Sequence, residues 1–154
     1  MGDILTVKFK RLRSDAIIPT QATEGAACFD LYAADSVILT GTCTREVVDT
    51  GVAIELPPGY VGLVCSRSGL AANNGIFVVN APGIIDEDYR GELKVILGYL
   101  PHNLEWPPLE PRVYTAGSRI AQLMILPKPQ LAVEEVTELT TTERGTGGLG
   151  STGV

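Results

Sequence analysis

Val47-Val48-Asp49-Thr50-Gly51-Val52-Ala53-Ile54-Glu55-Leu56, then Pro57-Pro58-Gly59, then Tyr60-Val61-Gly62-Leu63-Val64-Cys65, is the stretch on which the fold turns. Two runs rich in β-branched and apolar residues meet at a turn where proline withholds its N–H and glycine supplies the bend. It reads as strand, turn, strand. Working outward, Ile76 to Asn80, Leu93 to Leu100 and Arg119 to Leu126 are further short β-rich runs, set apart by Asn73-Asn74-Gly75, Ala81-Pro82-Gly83 and Ala116-Gly117-Ser118. Thr6 to Lys10 and Leu131 to Val136 alternate as half-buried strands do. The best helix candidate is short, Ser68 to about Asn74, and ends at Asn74-Gly75 as a helix C-terminus should. Turns at this spacing predict an all-β sandwich or barrel.

The 154 residues are enough for one domain with a core of its own, and 45% apolar content excludes a disordered chain. No apolar run approaches the ~18 residues of a membrane helix. No charged segment followed by an apolar one opens the chain, so a cytosolic protein is expected, and Asp3 and Lys8 argue against myristoylation at Gly2. Cys28, Cys43 and Cys65 are odd in number and share no C-x-x-C spacing, which speaks against a disulfide framework and against zinc. The lone histidine, His102, sits in a turn-like Leu100-Pro101-His102-Asn103, so a His-based triad or metal cluster is not expected. A net charge of -6 disfavours nucleic-acid binding, yet an acidic protein binds a polyphosphate when it adds a divalent cation, placed arginines and backbone N–H groups.

Composition divides the chain into a β domain, 1–138, and an arm, 139–154, that is rich in glycine and has little to bury. Between them in character is Pro101 to Pro111, a surface excursion with four prolines and the lone Trp106.

Four segments carry chemistry, each with a plainer alternative. Arg67-Ser68-Gly69-Leu70 follows a strand and opens a helix, presenting N–H groups and a forked cation to an anion; the alternative is an N-cap serine in an ordinary turn. Asn80-Ala81-Pro82-Gly83-Ile84-Ile85-Asp86-Glu87-Asp88-Tyr89-Arg90-Gly91 reads as a hairpin wide enough for a flat ligand, with three successive acids; the alternative is a solvated loop. Arg119 and Gln122 line a site or belong to an edge strand. Arg144-Gly145-Thr146-Gly147-Gly148-Leu149-Gly150-Ser151-Thr152-Gly153 wraps phosphate through successive N–H groups, although it lacks a P-loop's Gly-Lys-Ser ending; the alternative is an idle tail.

In this order the four segments resemble the motifs of the homotrimeric deoxyuridine triphosphatase (dUTPase) family, and a fifth is then recognisable as Ala27-Cys28-Phe29-Asp30-Leu31-Tyr32-Ala33. The match runs from Asp30 to Gly153. It implies a jelly-roll-like β fold with one short helix, and a threefold trimer with shared sites, one subunit's arm closing over a site formed by the other two. It implies hydrolysis of dUTP to dUMP and pyrophosphate with Mg2+, Asp86 acting as general base on a water in line with the α-phosphorus, an assistance of ~10²–10⁴-fold. Asn80 and the backbone near Gly83 and Ile84 would read uracil, and Tyr89 would lie under the deoxyribose. Arg67, Ser68, Gly69 and Gln122 would contact the α- and β-phosphates. Arg144, Gly147, Ser151 and Thr152 would grip the γ-phosphate. Asp30 would hold the metal through its waters.

The chain departs from that pattern at Cys28, usually glycine, at Ser66, usually proline, and at Leu149, where most relatives carry an aromatic lid. Losing that ring gives up part of a stacking worth ~1–3 kcal/mol, so weaker closure over the base is expected. The rival enzyme on this fold, dCTP deaminase, needs a glutamate at the pyrimidine ring, and Asp86 with Tyr89-Arg90-Gly91 disfavours it. A nucleotide-gated regulatory protein is the rival from another class.

Overall fold

The structure is a computed structural model that describes residues 5–40, 44–100 and 111–148. Gly2, Cys43, His102, Trp106, Leu149, Ser151 and Thr152 lie outside the described residues, as does the Pro101 to Pro111 excursion up to residue 110. In chain order the elements are β1 Lys8–Arg11, β2 Cys28–Tyr32, β3 Val37–Leu39, β4 Arg45–Glu55, β5 Tyr60–Cys65, α1 Ser68–Asn74, β6 Ile76–Val78, β7 Gly83–Ile85, β8 Glu92–Tyr99, β9 Arg112–Tyr114 and β10 Arg119–Pro127. They form two four-stranded sheets, ordered β1-β4-β8-β6 and β2-β10-β5-β7, with β3-β9 as a small third ladder. All named pairings are antiparallel. The expected all-β, jelly-roll-like sandwich is what the chain builds.

Its core lies between the sheets. Val52 and Ile54 of β4, Leu93, Val95 and Leu97 of β8 and Ile76 of β6 meet Leu31 of β2, Val64 of β5 and Leu123 of β10, each at most 3% exposed. Each such aliphatic side chain contributes ~1.5–3 kcal/mol on burial. Thr50 alone among the buried residues is polar, and its hydroxyl donates to Leu93 O at 2.7 Å. There β4 shifts register against β8 between Asp49 and Ala53, while its other edge pairs with β1 from Val52 to Glu55, so Ala53 stands between Glu92 and Lys10.

Strands were legible where turns bound them: β5 and α1 occupy the expected residues. Gly75 closes α1 with φ 66°, and its N–H reaches Ala71 O. A side chain there would collide with the carbonyl of Leu100, so only glycine ends this helix so tightly. Three expectations are corrected. Leu131 to Val136 forms no strand: among the described residues no ladder pairs with it, and Leu131 and Val133 are 82% and 100% exposed. The runs flanking Pro82-Gly83 do not form a hairpin, because β6 pairs with β8 in one sheet while β7 pairs with β5 in the other. Arg119 is not on an edge strand, since β10 lies between β2 and β5. Among the described residues no helix is long and apolar enough to cross a membrane.

Candidate active site

The sheet β2-β10-β5-β7 sorts the singled-out residues into two groups. Register sets Asp30 opposite Gln122 and Gln122 opposite Cys65, so β2, β10 and the end of β5 carry their polar groups at one level. Arg67, two residues past Cys65, turns back over that level. Its Nε lies 3.5 Å from Asp30 Oδ1, and its Nη1 donates to Arg119 O at 3.0 Å. Arg119 Nη1 donates to Asp30 Oδ2 at 3.2 Å. Gln122 Nε2 donates to Ser66 O at 2.8 Å, and Ser66 Oγ accepts the N–H of Val78, fastening the strand end to β6.

Ser68 and Gly69 open α1 from exposed positions, and a side chain at Gly69 would meet open space. The helix N-cap is Arg67 and makes no side-chain cap bond, so the N-cap-serine alternative is wrong: Ser68 is already the first helical residue. Its hydroxyl, like the first-turn N–H groups, faces outward from a helix end that lacks internal partners. The group as a whole is cationic at its rim and holds one carboxylate.

The second group rides on β7 and the loop after it. Gly83 faces Val64, and a Cβ at Gly83 would sit 3.1 Å from the Asn80 amide nitrogen. The missing side chain is what lets Asn80 lie against this backbone. Ile84 is 58% exposed and Asp86 is exposed at the strand's end. The Tyr89 N–H donates to Asp86 O at 3.1 Å, closing a turn, and the Tyr89 hydroxyl donates to Glu92 O at 2.8 Å. The Tyr89 ring fills the space a side chain at residue 91 would need, which accounts for glycine there. Ile84, Ile85, Asp86, Tyr89, Glu92 and Lys94 line a cavity of about 220 Å³. Glu92 and Lys94 escaped the sequence reading, because only the register of β8 reveals that they share this face.

Beside Asp86, Glu87 accepts the Gly59 N–H at 2.7 Å and pairs with Lys128 at 3.3 Å. The Gly59 bond foremost, then Lys128, holds the Glu87 carboxyl below the usual carboxylate range. In the first group burial, with Cys65 and Asp30 nearby, pushes the Cys28 thiol up.

The two groups do not converge within one chain. Asp86 lies three residues past the Gly83–Val64 pairing, and Arg67 lies three residues past Val64 in the opposite direction. At ~3.3 Å per residue they are on the order of 20 Å apart along the sheet. Arg144 and Gly147 join neither group: Arg144 Nε donates to Gly147 O at 3.0 Å, a local bond within an exposed tail. Among the described residues, no three His, Cys, Asp or Glu gather as a metal cage. A Mg2+ ion carried on phosphates does not require one. It keeps its waters and takes one or two carboxylates, a demand Asp30 fits.

Fold and site together define a jelly-roll β sandwich with a group of arginines around one carboxylate at one end of a sheet and an acidic, tyrosine-bearing group at the other. The dUTPase family profile matches residues 14–153, and the chain belongs to that family. It is 49% identical over 154 residues to a deoxyuridine 5'-triphosphate nucleotidohydrolase of Corynebacterium glutamicum, covering 99% of this chain and 98% of the relative. A homologue of the same name from Hydrogenobaculum is 46% identical, covering 94% of this chain and 96% of its own. Among solved structures, a variant of the dUTPase of Staphylococcus bacteriophage 80alpha with dUpNHpp matches with a TM-score of 0.81 at 29% identity, covering 97% of this chain and 99% of that one.

Proposed function

We propose that this protein hydrolyses dUTP to dUMP and pyrophosphate, in a trimer whose sites are each assembled from more than one subunit. The observation that carries the reading is the pair of complementary half-sites that one chain holds on the order of 20 Å apart. A triphosphate needs the arginines, and an attacking water needs the base, so a partner's Asp30–Arg67–Gln122 edge must meet this chain's Asp86–Tyr89 edge. Val47, Phe77 and Val79, all exposed, share the outer face of β4, β8 and β6 with Ile96, an apolar surface suited to a neighbouring subunit.

In this assembly the Asn80 amide and the backbone of Gly83 and Ile84 read the polar edge of uracil. Cytosine there leaves donors and acceptors mismatched and unpaired, the costly kind of error. The narrow wall excludes thymine's methyl. The Tyr89 ring lies under the deoxyribose and leaves no room for a 2′-hydroxyl. Asp86 orients a water and takes its proton as the oxygen attacks the α-phosphorus and the bond to the leaving pyrophosphate breaks. Arg67, Gln122 and the N–H groups of Ser68 and Gly69 hold the α- and β-phosphates.

Mg2+, when bound to the phosphates with Asp30 holding it through water, neutralises charge and improves the leaving group. The domain spans 1–138 and the arm 139–154. Among the described residues the last backbone hydrogen bond to the body is Lys128 N–H to Gly59 O at 2.8 Å, and the described residues beyond it are almost all exposed, as an arm that reaches a neighbour requires. From the arm, Arg144, Gly147, Ser151 and Thr152 close on the γ-phosphate, and Leu149 covers the base. The protein is assigned to the cytosol, where the free thiols of Cys28 and Cys65 stay reduced.

Pyrophosphate release from dUTP, dTTP, dCTP and UTP with Mg2+, run beside Asp86→Asn, tests the reading. Selective turnover of dUTP, lost in the variant, is the expected result. A folded trimer that leaves dUTP intact would favour the regulatory alternative.

A further inference from the structure

One acid of the Asp86-Glu87-Asp88 run points into a different set of contacts from its neighbours. Glu87 Oε2 accepts the Gly59 N–H at 2.7 Å and lies 3.3 Å from Lys128 Nζ. The Lys128 N–H in turn donates to Gly59 O at 2.8 Å, so the Gly59 peptide is held from both sides. Register places Tyr60 opposite Pro127, which brings the turn after β4 and the first residue beyond β10 together at one corner of the sheet. The loop's other side is braced by Arg90, whose Nη1 donates to Glu87 O at 2.7 Å and to Tyr89 O at 2.9 Å.

We infer that Glu87 is a positioning residue for Asp86, pinning the loop that carries the base to Gly59 and, through Lys128, to the root of the C-terminal segment. The inference rests on Asp86 being the general base. The physical case is that Asp86 itself is exposed at the end of a three-residue strand, with a single turn bond from Tyr89 to hold its backbone. Its neighbour's carboxylate, bound to a backbone N–H and a cation, is the adjacent fixed point. A charge-assisted bond is shorter and stronger than a neutral one, and it removes one of three like charges from mutual repulsion. Because Lys128 also donates its own N–H to Gly59 O, the end of β10 and the Asp86 loop are tied to the same peptide.

The test uses the full-length protein with Mg2+ and dUTP, counting competent sites by titration with a non-hydrolysable dUTP analogue. Glu87→Ala is expected to lower kcat per competent site by about ten- to a hundred-fold, the scale of a small misplacement of a catalytic group, with KM within about threefold. Glu87→Asp keeps the charge but is one methylene too short to reach Gly59, and is expected to follow Glu87→Ala. Glu87→Gln keeps an acceptor for Gly59 and is expected to restore most of the rate. A purely structural role would reduce the number of competent sites while each turned over at the parental rate. Parental kcat per site in Glu87→Asp or Glu87→Ala, beside a dead Asp86→Asn, would overturn the positioning role alone. Parental turnover in Asp86→Asn would overturn the base assignment beneath it.

Discussion

Asp30 and Arg119 are joined across neighbouring strands, Arg119 Nη1 donating to Asp30 Oδ2 at 3.2 Å, while Arg67 approaches the other carboxylate oxygen at 3.5 Å. One carboxylate thus balances two guanidiniums, from β10 and from the segment just past β5. In the proposed mechanism the same carboxylate would hold hydrated Mg2+ once a triphosphate drew the Arg67 guanidinium to itself.

Asp30→Ala is therefore expected to act twice. It removes the carboxylate from two partly exposed guanidiniums, of which Arg67 keeps the Arg119 carbonyl, so stability should fall by no more than about 1 kcal/mol in denaturant unfolding. It should also raise the Mg2+ concentration for half-maximal turnover by roughly ten-fold or more, as loss of a supporting metal contact does. An unchanged Mg2+ titration would remove Asp30 from the metal's surroundings.

Shared sites make a quantitative expectation for mixed trimers. Asp86→Asn and Arg67→Ala should each be inactive alone. Refolded together at equal amounts, half the sites keep Asp86 and half of those meet an intact Arg67, so about a quarter of parental activity should return in a closed trimer. No recovery in a mixture shown to exchange subunits would place both groups in one chain's site.

Gly83→Ala puts a methyl 3.1 Å from the Asn80 amide nitrogen and 3.4 Å from Val64 Cβ. The second contact is ordinary, so stability should change little. The first pushes Asn80 off its line to the base. One misaligned hydrogen bond of about 1–1.5 kcal/mol corresponds to a KM for dUTP raised roughly five- to ten-fold, with discrimination against dCTP reduced. A parental KM would mean that Asn80 does not read the base.

The Glu87 carboxyl also shapes stability against pH. Its folded pKa is depressed, chiefly by the Gly59 N–H and then by Lys128, from an ordinary value of 4.5. A depressed carboxylate stabilises the fold above its unfolded pKa, and that stabilisation disappears as pH falls through the folded value. Parent and Glu87→Gln should therefore differ most at neutral pH and converge in acid below about 4.5. A gap that stays constant to low pH would show that the Gly59 bond survives protonation. A gap that widens in acid would reverse the sign of the linkage.

Much of this was legible before any coordinates. Local chemistry bounded β5 between Pro57-Pro58-Gly59 and Ser66, and ended α1 at Gly75, since proline and glycine act on the backbone where they stand. The alternation in Leu131 to Val136 misled for the opposite reason. A strand exists only with a partner ladder, and among the described residues no neighbour supplies one. The supposed hairpin at Pro82-Gly83 failed likewise: both flanks are strands, but each found its partner in a different sheet.

What the sequence by itself determined is the set of reactive groups, their order, and the turns that cut the chain into strands, because those follow from side-chain chemistry and backbone propensity at each position. Only the tertiary structure decided that Asp30, Arg67, Arg119 and Gln122 meet at one end of the sheet while Asp86 and Tyr89 stand at the other, and that Glu87 closes a corner with Gly59 and Lys128. Register and sheet order set those distances. They arise from burying the apolar faces of both sheets together, a condition on the whole chain that no local stretch contains.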